Sequence, residues 1–134
     1  MATVFERKHR IVVLGGGPGG YEAALTAAQL GSEVTLIETA GVGGSAVLTD
    51  VVPSKSLIAT AEAVTTIRDG AMVGVQAFAP GTDGKPVRPE FAVNLAAINK
   101  RLLAMAGAQS TDMVNTLEDS GVRIVQGFGR LDGP

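Results

Sequence analysis

With 134 residues, 46% of them hydrophobic and 18% charged, the chain has the size and make-up of one small globular domain, not of a disordered segment. A formal net charge of −2 leaves no global basic field to draw nucleic acid, and no apolar run approaches the roughly 20 residues that span a bilayer. The absence of cysteine excludes disulfides, thiolate metal sites and thiol catalysis within these residues.

Residues 6–10 are all charged or titratable and no apolar run of signal-peptide length precedes or follows them, so the start does not resemble a signal peptide and a cytoplasmic location is the expectation. The basic cluster Arg7, Lys8, His9 and Arg10 reads as a solvated strand entrance, with a phosphate contact as the alternative, and His9 alone carries no metal signal. A β-branched run (Ile11, Val12, Val13) then leads through Leu14 into Gly15-x-Gly17-x-x-Gly20. The alanine-rich stretch from Tyr21 to Leu30 is a helix former and stops at Gly31, a natural residue for a helix C-terminus. A second β run, Val34 to Ile37, delivers an acid, Glu38, eighteen positions after the last glycine.

Together these parts make the fingerprint of a dinucleotide-binding βαβ unit. Gly15 permits the sharp turn out of the strand. Gly17 removes a side chain where backbone must approach a pyrophosphate, and Gly20 lets the helix pack close to the strand. The helix start, which includes Gly19, offers unpaired N–H groups and partial positive charge to phosphates. Glu38 can accept hydrogen bonds from ribose hydroxyls. The competing possibility is a βαβ unit whose glycine-rich turn holds no ligand.

Residues 39–53 read as a loop with a glycine pair, Gly43-Gly44. Pro53 precedes Ser54, a candidate N-cap for a helix that carries Leu57, Ile58, Ala61, Val64 and Ile67 at helical spacing and stops at Gly70. Residues 71–79 suit a short strand or buried connector, and 80–89 a turn-rich surface loop. A long helix is expected from about Glu90 to Ser120. Its apolar face is marked by Leu95, Ile98, Leu102, Met105, Met113 and Leu117, and Gly107 either kinks it or leaves it straight. Gly121 ends that helix, and a strand over 122–126 runs into Gly127-Phe128-Gly129. The expected class is α/β: a Rossmann-like βαβ unit in a parallel, doubly wound sheet. The third strand would lie beside one of the first two, and with so few strands the sheet is incomplete and both edges are open.

Residues 43–55, GGSAVLTDVVPSK, resemble a segment of the pyridine nucleotide–disulfide oxidoreductases, the lipoamide dehydrogenase and glutathione reductase family. That family reads Gly-Gly-Thr-Cys, four residues, Cys-Ile-Pro-Ser-Lys. Its glycines fall on Gly43 and Gly44, its threonine on Ser45, its Pro-Ser-Lys on Pro53, Ser54 and Lys55, and its two redox cysteines on Ala46 and Val51. The segment looks most like an actinobacterial NAD(P)H–quinone reductase branch that lacks the cysteine pair; decay of an ordinary member is the rival explanation. The resemblance implies FAD as cofactor and NAD(P)H as electron donor. A quinone-type small molecule is the implied acceptor, since thiol exchange needs sulfur that Ala46 and Val51 lack. It also implies that Lys55 lies near the flavin ring and Gly129 against the adenine. A lysine in the first turn of a helix sits where the dipole disfavours it, which suggests a reason beyond solubility; its ordinary alternative is an exposed surface lysine.

Members of that family continue into the rest of the FAD domain, an NAD(P)H-binding domain and a dimer-interface domain. No second GxGxxG follows residue 20. Residues 1–134 are therefore expected to be the N-terminal part of an FAD-binding domain, with homodimerisation expected only of a full-length relative. Such a piece would hold the cofactor weakly and would not complete a reaction alone. The alternatives are a fragment of an NAD-binding Rossmann dehydrogenase and a non-catalytic nucleotide-binding fragment.

Overall fold

The computed structural model describes residues 9–133. Arg7 and Lys8 of the basic cluster lie outside them; His9 and Arg10 are exposed. The first elements are β1 (Arg10–Leu14), α1 (Pro18–Gln29) and β2 (Glu33–Glu38). A short helix, α2 (Gly44–Leu48), and a longer one, α3 (Val51–Arg68), follow. Next come a single 3-10 turn (Gly70–Val73) and a small antiparallel hairpin of β3 (Ala77–Phe78) and β4 (Pro86–Val87). The chain then forms α4 (Leu95–Asp119) and β5 (Arg123–Gln126).

The main sheet is parallel, in the order β1-β2-β5. Register pairs Ile11 with Val34 and Val13 with Leu36 on one side, and Leu36 with Ile124 on the other. Side chains alternate across a strand, so these residues share one face. That face is the core: Val34 and Leu36 pack with Ala24 of α1, Leu117 of α4, Val42 and Val122.

The sheet is parallel, as expected, but among the described residues helices α1 and α4 both pack on one face of it, so the doubly wound arrangement is not formed. The reason is topological. The chain advances in one direction from β1 to β2 to β5, and two right-handed crossovers in the same direction place their helices on the same side. The opposite face carries Val12, Leu14, Ile37 and Val125, with Val12 60% and Leu14 47% exposed.

Three boundaries differ from the sequence expectation. Helix α3 begins at Val51, so Ser54 lies inside it, and the Ser54 N–H bonds the Asp50 carbonyl as in any helical turn. Pro53 does not break the helix, because the N–H it lacks belongs to the first turn, where no intrahelical acceptor exists. Residues 44–48, expected as loop, form α2. Helix α4 begins at Leu95 and not at Glu90: the Asn94 side chain accepts the Ala97 N–H at 2.9 Å and caps it. Residues 71–79 divide between the 3-10 turn and β3, and the 80–89 loop contains β4. Helix α4 runs through Gly107 without interruption.

The two faces of the sheet should respond differently to truncation. Leu36→Ala, at a side chain with no exposure, is expected to cost about 2–5 kcal/mol in urea unfolding, whereas Val12→Thr on the open face should change stability by less than about 0.5 kcal/mol.

Candidate functional site

Parallel strands deliver their loops to one end. At the carboxyl end of this sheet lie the turn after β1 (Gly15–Gly17), the loop after β2 (Thr39–Gly43) and the segment after β5 (Gly127–Gly129). This is where open α/β sheets bind ligands.

The glycine turn has the geometry its spacing implies. Gly15 has φ +94, a left-handed conformation that other residues resist, and its N–H bonds the Ile37 carbonyl at 2.8 Å. A Cβ on Gly20 would overlap the Gly15 carbonyl oxygen, so glycine there is what allows α1 to start so close to β1. Gly15, Gly17 and Gly19 have open space where a side chain would stand. Helix α1 has no side-chain cap and no acid in its first turn. The N–H groups of Gly19 and Gly20 therefore have no intrahelical acceptor and face the helix's positive end. Unpaired donors, positive dipole and absent side chains fit the diphosphate of a dinucleotide.

Glu38 performs a task that the sequence did not reveal. Its Oε2 accepts the Gly16 N–H, and its Oε1 accepts the N–H groups of Thr39 and Ala40, each at 2.8 Å, and of Gly41 at 3.4 Å. Desolvation pushes this carboxyl up, but the N–H donors of Ala40, Gly16, Gly41 and Thr39 outweigh it and hold the group below its ordinary value. Oε1 is fully engaged. Oε2 holds one N–H and keeps room for a further donor such as a hydroxyl.

Gly16 joins the third element. Its carbonyl accepts the Gly43 N–H at 2.7 Å, and a Cβ on Gly44 would stand 3.0 Å from the Gly17 Cα. The start of the 43–55 segment is thus pressed directly onto the glycine turn. Ser110 of α4 donates to the Val42 carbonyl at 2.6 Å and fixes the loop from behind. Gly16, Gly41 and Ser110 are the supporting residues that the sequence motifs did not single out. Ser110 lies far along the chain and only tertiary packing brings it here.

Ser45 and the half-buried Ala46 sit on α2, and Val51, 47% exposed, opens α3. Lys55 is exposed in the second turn of α3, not the first, so the dipole argument for an unusual lysine loses force; no ion pair holds it among the described residues. Gly129 lies over the open sheet face, where a Cβ would meet Leu14 and Ile37 side chains. Among the described residues no group of acids and histidines could hold a metal ion, and no helix is long and apolar enough to cross a membrane.

A glycine turn opening a helix at the carboxyl end of a parallel sheet, with an acid closing the neighbouring strand, defines a Rossmann-type dinucleotide-binding unit. The chain belongs to the pyridine nucleotide-disulphide oxidoreductase family, which matches residues 9–133. It is 42% identical over 125 residues to the NAD(P)H dehydrogenase (quinone) of Mycobacterium tuberculosis, an alignment covering 91% of this chain and 24% of that protein. It is 31% identical over 134 residues to the dihydrolipoyl dehydrogenase of Bacillus subtilis (strain 168), covering 100% of this chain and 25% of that one. The crystal structure of LpdA from M. tuberculosis superposes with a TM-score of 0.77 at 38% identity, over 93% of this chain and 25% of that one. The chain thus spans about a quarter of the length of these relatives.

The Glu38 bonds set a pH dependence. A carboxyl whose value is lowered by folding adds stability above its unfolded value, and that stability is lost as pH falls through the folded value. The stability difference between the protein and Glu38→Gln should therefore be constant above about pH 5 and shrink below about pH 4, as measured by urea unfolding across that range. At neutral pH the substitution should cost about 1–3 kcal/mol.

Proposed function

We propose that residues 1–134 form the N-terminal part of an FAD-binding domain in an NAD(P)H-dependent oxidoreductase that passes electrons to a quinone-type acceptor. The observation that carries this reading is the contact of the two motifs: Gly43-Gly44 packed against Gly16-Gly17 at the carboxyl end of the sheet. A generic NAD-binding unit needs the glycine turn and the acid but has no use for the second segment.

In this reading the N–H groups of Gly19 and Gly20 bind the diphosphate, and Gly15 and Gly17 admit it without steric conflict. The free position on Glu38 Oε2 accepts a ribose hydroxyl while the rest of the carboxylate holds the loop in place. Gly43, Gly44 and Ser45 extend the binding surface toward the flavin end. Lys55 supplies a positive charge there, which favours the reduced, anionic flavin. Gly129 keeps the edge of the adenosine site small. FAD held by these residues would supply the capacity to take a hydride from NAD(P)H and pass electrons onward.

Ala46 and Val51 determine the kind of acceptor. Reduction of a disulfide substrate through the protein would need a dithiol at these positions, and neither side chain can form or break an S–S bond. A quinone needs no such relay: two electrons and two protons convert it to the hydroquinone. The M. tuberculosis relative whose name includes a quinone supports this direction. NAD(P)H as donor and a quinone-type acceptor are proposed for the whole protein on the same basis; homodimerisation and a cytoplasmic location of the whole protein are proposed from the family resemblance alone.

Two measurements test the proposal. Equilibrium dialysis of the 134-residue protein should show weak, saturable binding of FAD that is competed by ADP, with NAD binding weaker still. Preference for NAD over FAD would favour a dehydrogenase fragment instead. A fusion of residues 1–134 to the C-terminal three-quarters of the M. tuberculosis relative should oxidise NAD(P)H with menadione and give no turnover with lipoamide. Lipoamide turnover without added thiols would contradict the role given to Ala46 and Val51.

A further inference from the structure

A second cavity lies at the other end of α3, about 25 Å from Val51 along the helix and separate from the dinucleotide cleft. It has a volume of about 710 Å³, within the range of small-molecule sites. The 3-10 turn Gly70–Val73 folds back on the end of α3, with the Val75 N–H bonded to the Gly70 carbonyl at 2.9 Å, and the β3–β4 hairpin lines the other side of a site open to solvent. Ile67, Val73, Val75 and Val87 line it, and the first three are more than half exposed even though the chain folds around them.

Its polar lining is uneven. Arg68 and Asp69 form a two-pronged pair, Nε to Oδ1 at 2.8 Å and Nη2 to Oδ2 at 3.1 Å. The Asp69 carboxyl is held below its ordinary value first by that hydrogen bond and, in smaller part, by the nearby charges of Arg68 and Arg88. Arg88 itself makes no ion pair among the described residues. The cavity therefore has apolar walls, two cations and one anion, and the anion is bonded to Arg68, which leaves the Arg88 guanidinium outside any ion pair among the described residues. Guanidinium is the side-chain group best matched to a carboxylate.

We propose that this cavity binds an apolar monocarboxylate, with the hydrocarbon body against Ile67, Val73, Val75 and Val87 and the carboxylate on Arg88. The site is independent of the flavin reading, since it shares no residue with the glycine turn or the 43–55 segment.

The test uses isotope-labelled full 134-residue protein titrated with decanoate below its micelle-forming range, followed by backbone amide shifts. Decanol and decyltrimethylammonium serve as neutral and cationic matches of equal chain length. Saturable shifts confined to residues 66–89 are expected with decanoate, and the two controls should bind about tenfold more weakly, the scale of one charge-assisted hydrogen bond. Arg88→Gln, at a surface position, should remove that preference and leave FAD binding unchanged. Equal binding of the three amphiphiles, shifts centred on the open sheet face at Val12 and Leu14, or undiminished decanoate binding by Arg88→Gln would each overturn the proposal.

Discussion

The backbone of one buried residue, Gly16, holds the site together. Its N–H is bonded to the Glu38 carboxylate and its carbonyl to the Gly43 N–H, so the turn after β1, the end of β2 and the start of α2 meet at a single point. A buried backbone donor or acceptor left unpaired costs on the order of 1–3 kcal/mol. Each of the three loops thus depends on the other two. The glycine turn keeps its shape because Glu38 is ionised beneath it, and the Gly43-Gly44 pair can approach Gly17 because the same residue anchors both sides.

The remaining elements are arranged around that point with decreasing burial. The core lies directly behind it, where β2 is flanked by strands on both sides and covered by α1 and α4. Helix α3 buries none of its residues fully and is held from the side by α4, through Arg101 donating to the Thr60 hydroxyl oxygen at 2.7 Å. The segment that distinguishes this chain from a plain dinucleotide unit is therefore packed tightly at Gly43-Gly44 and less enclosed toward Lys55 and beyond.

Much of this was legible in the sequence because it is local. The β1-turn-α1-β2 unit follows from residue types within 28 consecutive positions, each with its own steric or dipolar reason. The strand at 122–126 was legible from its alternation, but its place beside β2 was not, since either neighbour satisfies a parallel pairing. The start of α3 was misplaced because proline reads as a boundary unless it already lies in a first turn. The role of Glu38 as a clamp was hidden for a different reason: its partners are backbone N–H groups, which carry no residue-type signature. Ser110 was invisible because its acceptor, the Val42 carbonyl, is far from it along the chain.

The order of the sheet also bears on how the site is assembled. Pairing β1 with β2 closes only the short α1 connection, whereas pairing Thr35 with Arg123 must close α2, α3, the hairpin and α4 in one loop. Loop-closure entropy grows with length, and contacts distant in sequence form late. The glycine turn and Glu38 can meet early in folding, on the strength of their own strands, while the core stays open on the side where Leu117 and Val122 will arrive. The loop after β2 is sealed from behind by α4 and β5 together, so the floor of the ligand cleft is built from local contacts and its back wall from contacts distant in sequence.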